Sequence, residues 1–540
     1  MTLKHIFCGA LALFTYNHGI CQAQAPVVVK DINNNNSAEI SEIKACNGKL
    51  FFTANDGSGL SAWVTDGTPG NTISLNTNGG RDYNEYNGKT YFIAKNNSNY
   101  DQLWVTDGTP TGTTQLAEIN AKGNGVIDIY AVANNKLFFR GVDSLHGSEL
   151  WATDGTALGT QLVADIRPDT LSGLYAGYNS YIVYNHRIFF AAYEGSNGIE
   201  LFVSDGTAGG TFMYQDINSG AGNSNPTNFS VINGKLYYTA TNHWGRELWV
   251  LDDATGTTTV QNLEYSNTSS NPGPLSVFNS KMYFIGGPSA PAIQNLYLTN
   301  ATSAGTVKLV DSVNNMVNFS GHIYYGKSKG IVPGQGQGLH YALYKTVGDV
   351  GSPQLLVSNL EGGNSYTAPY NFTACNGKLY FLQKYDGLPG IEGFAVNDLW
   401  VHDPALNTTE LIMSAANPSN EAYIFTNTGI TAYNNNIYFK GLEQEGEELY
   451  TLGDAPVGIS AIKETQAMEL YPNPTLDKLQ VRLLNNTDEI ESITITDTQG
   501  KIMTEQSTAN ISVANYAPGI YYLHLQTTKG IRQVQRFVKN

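Results

Sequence analysis

The sequence predicts an all-β fold: a multi-bladed β-propeller of about eight or nine four-stranded repeats, followed by a small Ig-like β-sandwich. Three observations lead there. Two short strings alternate nine times along the chain, Asn-Gly and Asp-Gly pairs punctuate β-rich segments, and the pattern changes abruptly after Ile462. Composition agrees. Only 14% of the 540 residues are charged, while Gly (56), Tyr (33) and Phe (21) are plentiful. That mix suits short strands joined by tight turns better than helices.

The chain opens with a leader. Lys4 and His5 give a weakly basic start, Ile6 to Tyr16 is apolar, and the small residues Ala23 and Ala25 follow. This is signal-peptide order, and the apolar run is too short to span a bilayer. Cleavage is expected after Ala23, because cleavage after Ala25 would leave Pro26 at the new N-terminus. Residues 1–23 are therefore read as a signal peptide. Cys21 follows bulky Ile20 where a lipidation site needs a small residue. No later stretch is apolar enough for a membrane helix, so the mature chain is expected to have no transmembrane segment.

Residues 24–464 carry the repeat. LWVTDGTPTGT begins at Leu103, ELWATDGTALGT at Glu149 and ELFVSDGTAGGT at Glu200, with weaker copies on either side. Their aromatic anchors are Trp63, Trp104, Trp151, Phe202, Trp249, Tyr297, Tyr344, Trp400 and Tyr450, spaced 41 to 56 residues apart. A second string, NGKLFF at Asn47 or NGKLYF at Asn376, precedes each anchor. Asn-Gly tolerates positive φ at both turn positions and marks a hairpin. Asp-Gly-Thr closes another turn, Asp binding its own backbone. With TQLVADI after it and one strand before the Asn, each repeat holds four strands, which is propeller-blade arithmetic. A solenoid is the competitor. The mature N-terminus favours a ring: VVVKDI (Val27–Ile32) resembles the blade-final QLVADI (Gln161–Ile166) but lacks three strands before it. An orphan last strand is what a closed ring needs to complete its final blade. Cys46 and Cys375 occupy equivalent repeat positions, too far apart for a disulfide, and read as buried apolar residues.

Residues 465–540 differ. YPNP (Tyr471–Pro474) leads into LDKLQVRLL, ESITITDTQGKIM, ISVANYAPGIYYLHLQT and GIRQVQRFVKN, short alternating strands with Asn, Gly and Pro turns. A small sandwich is expected.

Both regions resemble known families. The strings at Trp104, Trp151 and Phe202 resemble the ELWxxDGT repeats of exported bacterial proteins, which implies a propeller-like exported domain and no particular activity. The C-terminal segment resembles the type A sorting domains of the type IX secretion system, carried by Tyr471, Pro472, Asn473, Pro474, Asp497, Gly500, Gly519, Tyr521 and the basic end RFVKN. That resemblance implies Sec export to the periplasm, passage through the type IX translocon, and removal of the domain by a surface sortase in a Bacteroidota-type envelope. The protein would then be secreted or attached to the outer-membrane surface.

A net charge of −16 excludes a phosphate-backbone partner, since no basic stripe exists. None of the mature chain's histidines has zinc spacing. GKSKG (Gly326–Gly330) formally matches a nucleophile elbow, but it follows a strand and no helix pattern succeeds it. Asp66, Asp107, Asp154 and Asp205 could suggest calcium, yet turn capping explains one Asp per repeat, so no cofactor is expected and calcium is the alternative. No catalytic residue can be named. The loops between the second and third strands of the repeats vary most, and Trp244 in NHWGRE is an extra aromatic there. It could stack on a glycan or peptide, or pack on its neighbours. The reading is a non-enzymatic recognition or adhesion protein of unknown glycan or protein ligand. The alternatives are a propeller polysaccharide hydrolase or lyase and a structural surface-layer protein.

Overall fold

The computed structural model describes residues 26–34, 36–174, 180–261, 269–287, 294–302, 304–330, 340–349, 351–357, 368–385, 396–413, 423–425, 429–443, 446–453, 468–471, 475–483, 489–497, 502–528 and 532–539. The leader therefore lies outside the described residues. Apart from one 3₁₀ turn at Pro69–Asn71, every element among them is a strand. The chain divides into two compact units, 1–458 and 459–540. The expected boundary at 464/465 falls within 454–467, outside the described residues.

The third repeat shows how the sequence builds a blade. Strands Val126–Ala133, Lys136–Asp143, Gly147–Thr153 and Gln161–Ala164 pair antiparallel in chain order. Asn134 and Asn135 take φ of 47° and 56°, the two positive values a tight primed hairpin turn requires. Phe139 and Trp151 face each other across the second and third strands. Nine such aromatic pairs recur among the described residues, from Phe52–Trp63 to Phe439–Tyr450, with ring centroids 5.0–6.4 Å apart. The repeat anchors thus stack within their own blades. They are core and half-buried packing residues, and burial of each large ring stabilises its sheet.

Nine such four-stranded blades occur among the described residues, the first joined to the second and the eighth to the ninth in larger sheets, and the fold is a β-propeller. Their first strands neighbour one another in sequence, from Ser41–Cys46 through Asn78–Tyr86, Val126–Ala133 and Tyr181–Tyr184 to Thr227–Ile232. Hydrogen bonds from Asn228 and Ser230 to the carbonyls of Pro272 and Leu275 carry the circuit to the sixth blade. It continues through Val313–Phe319 and Tyr370–Cys375 to Thr431–Tyr433, which returns to Ser41–Cys46.

Closure is made by the N-terminal strand. Val27–Lys30 is the fourth strand of the ninth blade, with Val27 opposite Thr451 and Val28 opposite Tyr450. The joint between the ninth and first blades also repeats the ordinary joint. The Tyr86 hydroxyl donates to the Asn135 carbonyl, and that of Tyr184 to Gly234, in each case the second turn residue of the next blade. Tyr433 donates in the same way to Gly48, 385 residues away, at 2.8 Å. Trp63 and Leu50 of the first blade share a buried cluster with Tyr438 and Leu449 of the ninth. Closing the ring removes the sheet edges an open array would expose.

In the C-terminal unit, one sheet holds Met468–Tyr471, Lys478–Leu483 and Asn510–Ser512. The other holds Ile490–Asp497, Ile502–Gln506, Gly519–Thr527 and Arg532–Lys539. Leu479, Val481 and Ile511 of the first and Ile493, Leu523 and Phe537 of the second form one core.

Candidate ligand-binding face

Antiparallel alternation decides which residues share a face. Each first strand begins on the side where the second strand ends and the third begins. The connections between second and third strands therefore surround the mouth at which the first strands start, and the NGK and DGT turns lie on the opposite side.

The DGT turns are self-satisfied. Asp107 Oδ1 accepts from the Thr109 amide at 2.9 Å and its hydroxyl at 2.7 Å, and Asp205 accepts from Thr207 at the same distances. Asp66 and Asp154 do likewise with Thr68 and Thr156. The hydroxyl donated by Thr109 holds Asp107 below the usual carboxylate range. Among the described residues no three metal-ligating side chains cluster. Ser328 of the elbow-like string lies mid-strand opposite Tyr341, so it has no strand-to-helix turn. Cys46 and Cys375 are buried free thiols.

Trp244 sits with His243 at the two-residue tip between Lys235–Asn242 and Gly245–Asp252. It is 41% exposed, and its ring lies 4.1 Å from that of His243. The lengthened loops of the seventh and eighth repeats fall largely at 331–339 and 386–395, outside the described residues.

The mouth itself holds a cavity of about 350 Å³, lined among others by Glu42, Arg81, Asp82, Asp128, Tyr130 and Tyr181 from the first strands of blades one to four. Glu42 and Asp82 share one repeat position, five residues before the turn asparagine, and take φ of 56° and 59°. The Asp82 amide donates to Glu42 Oε2 at 3.4 Å, and the Ile129 amide donates to Asp82 Oδ2, linking three blades in series. Arg81 donates to the Ile127 carbonyl at 2.7 Å and pairs with Asp101 at 2.9 Å. Buried Arg140 pairs with Asp128 at 2.5 Å. Burial, with Asp128 nearby, raises the Asp82 carboxyl above the ordinary range, against the pull of the Ile129 amide. Tyr130 and Tyr181 stack at 4.8 Å.

Sequence reasoning missed this cavity. Its residues belong to the first strands, whose bulges break the two-residue alternation, whereas the legible strings lie in the second and third strands. The shared offset of Glu42 and Asp82 from Asn47 and Asn87 was the available signal.

Of the C-terminal motif, Tyr471 ends a strand and is exposed. Pro472, Asn473, Pro474 and Gly500 lie outside the described residues, and Asp497 stands in register with Tyr521. Gly519 opens the strand that carries Tyr521. Tyr521 is buried, stacks on Phe537 at 5.6 Å and donates to the Ala517 carbonyl at 2.9 Å. Its role is visibly structural.

Residues 469–540 match the family model of the secretion system C-terminal sorting domain. The chain is a type IX-secreted protein with a β-propeller fold. The tail supports secretion or attachment at the outer-membrane surface. No helix among the described residues is long and apolar enough to cross a membrane. No curated protein matches the chain in sequence. Among solved structures it is similar to a prolyl endopeptidase (13% identity, 69% of this chain and 55% of that chain, TM-score 0.35). It is also similar to puromycin hydrolase (11%, 67% and 64%, 0.34). A third likeness is to the β-propeller domain of the Trilobed protease from Pyrococcus furiosus (10%, 67% and 94%, 0.31). The chain thus spans less than two thirds of the first two. It is the strand pairing that makes this chain a propeller, and the peptidase activity in those names belongs to those proteins.

Proposed function

We propose that the secreted propeller is a non-enzymatic recognition or adhesion protein of the ELWxxDGT-repeat kind, which binds a glycan or protein on its mouth face. Trp244 carries this reading. A large aromatic held out at a hairpin tip on that face gives up burial and offers a stacking surface. The mouth carboxylates support it too. Among the described residues, Asp82 and Glu42 accept blade-to-blade amide bonds and Asp128 pairs with Arg140, so these acids have a structural use within the ring. In this reading the Sec leader is cleaved after Ala23, and the tail engages the type IX translocon and then a surface sortase.

The raised Asp82 carboxyl beside Asp128 is the one observation on the side of a polysaccharide hydrolase or lyase. A glycan and protein array probed with the full mature chain separates the readings. Binding that falls about tenfold on Trp244→Ala, in the range of an interface hot spot, supports recognition. Polysaccharide cleavage that Asp82→Asn abolishes would favour the enzyme. A chain that binds nothing and only assembles with itself would favour the surface-layer role.

A further inference from the structure

We infer that the mouth cavity is a binding site for an alkylammonium group, as on a lysine side chain or a free polyamine. The inference rests on the propeller being a recognition module and names the chemistry of one subsite on its face.

Charge is the first reason. Glu42, Asp82 and Asp128 line the cavity, and Asp101 stands behind Arg81. Against these four carboxylates stand two guanidinium groups, Arg81 and Arg140. Arg81 is engaged by Asp101 and a backbone carbonyl, and Arg140 is paired with Asp128, its buried Nε making no hydrogen bond among the described residues. Glu42 receives the Asp82 backbone amide, and Asp82 receives the Ile129 amide and the Asn84 side-chain amide, neutral donors all. A partly buried carboxylate satisfied by dipoles alone gains most from a cation.

The second reason is independent of the acids. Tyr130 is only 5% exposed, and its hydroxyl has no hydrogen-bond partner among the described residues although it borders the cavity. Its ring stacks on that of Tyr181 at 4.8 Å. The hydroxyl is thus an acceptor held ready beside the carboxylates, and an ammonium has three donors to share among such groups. The paired rings give the alkyl stem an apolar wall. A volume near 350 Å³ sits at the small end of ligand cavities, suited to a side chain or short amine. The −16 net charge of the whole chain favours the approach of a cation.

The test is calorimetric titration of the full mature chain with Nα-acetyl-lysine amide, spermidine, the neutral isostere Nα-acetyl-norleucine amide, and calcium chloride. Saturable binding of either amine, with none of the norleucine derivative, is expected. Asp82→Asn keeps an acceptor for the Ile129 amide and removes the charge, so the melting temperature should hold while amine affinity falls at least tenfold. Tyr130→Phe should weaken binding severalfold with stacking kept. Tighter binding of the lysine derivative points to a peptide source, and tighter binding of spermidine to a free polyamine; both uphold the site. Equal binding of the norleucine derivative, amine affinity unmoved by both substitutions, or occupancy by calcium alone would overturn it. Array binding of uncharged glycans that Trp244→Ala removes and Asp82→Asn leaves intact, with no amine binding, would sink this inference while upholding recognition.

Discussion

The backbone amide of Ile32 donates to the Glu448 carboxylate across 416 residues of chain. The bond has local counterparts: Ile166 donates to Glu149 at 3.0 Å and Ile217 to Glu200 at 2.8 Å, each 17 residues apart. The buried acid that opens the third strand of a blade thus fastens the loop leaving its fourth strand. At Glu448 the same bond fastens the N-terminal strand, so VVVKDI acts as the missing end of the ninth blade.

Removal of Val27–Ile32 should therefore destabilise the whole propeller. Val29 and Ile32 are 3% and 6% exposed. Their burial alone contributes about 3–6 kcal/mol, before counting the edge exposed on the ninth blade. Thermal unfolding of the deletion should show one transition at a clearly lower temperature. Fraying of the ninth blade alone, with the rest melting as in the parent, is the solenoid outcome.

Stability should fall as pH rises from about 4 to about 8, because of the buried acids Glu149 and Glu200. Burial pushes Glu149 up to about 8, against three backbone amides that pull it down, and Glu200 up to about 6. Both lie above the ordinary carboxylate value, so the folded state holds these protons where the unfolded chain has lost them. Their contribution is full below about pH 4 and declines as pH rises, until about 6 for Glu200 and about 8 for Glu149. Glu149→Gln should flatten the decline of melting temperature between about pH 5 and 8. An unchanged profile would mean that the amides keep Glu149 ionised.

Chelation should leave the repeats untouched. Asp205 Oδ1 is engaged by both donors of Thr207. Asp205→Asn, which keeps that oxygen, should shift stability by less than about 0.5 kcal/mol, and Asp205→Ala should cost about 1 kcal/mol. A melting temperature that drops with EDTA and recovers with calcium would restore the calcium alternative.

Export should depend on residues 465–540 while folding of the repeats does not. Leu479, Ile493, Leu523 and Phe537 give residues 465–540 a core of their own. Deleting the tail should leave a folded, protease-resistant propeller in the periplasm. Its normal arrival in the medium would contradict the sorting role.

Much of this fold was legible because it is written in short-range chemistry. Asn47-Gly48 and Asp107-Gly108 announce their turns, and Phe92 and Trp104 sit where a hairpin must pair them. Even closure was readable from the likeness of Val27–Ile32 to Gln161–Ile166. The mouth cavity was not, because it is assembled from four first strands brought together by the ring. Glu42 and Asp128 are 86 positions apart, and nothing local says that they face one space. Trp244 was picked out by sequence, and the structure adds that it is exposed on the mouth face.

Closure is the claim on which the mouth and its hairpins depend. It is tested most directly by replacing Val27 and Thr451, which stand opposite each other, with cysteines and exposing the folded protein to mild oxidant. The account predicts rapid, near-complete intramolecular crosslinking and a higher unfolding temperature that reductant reverses. Failure to crosslink, together with a Val27–Ile32 deletion that melts like the parent, would contradict the ring.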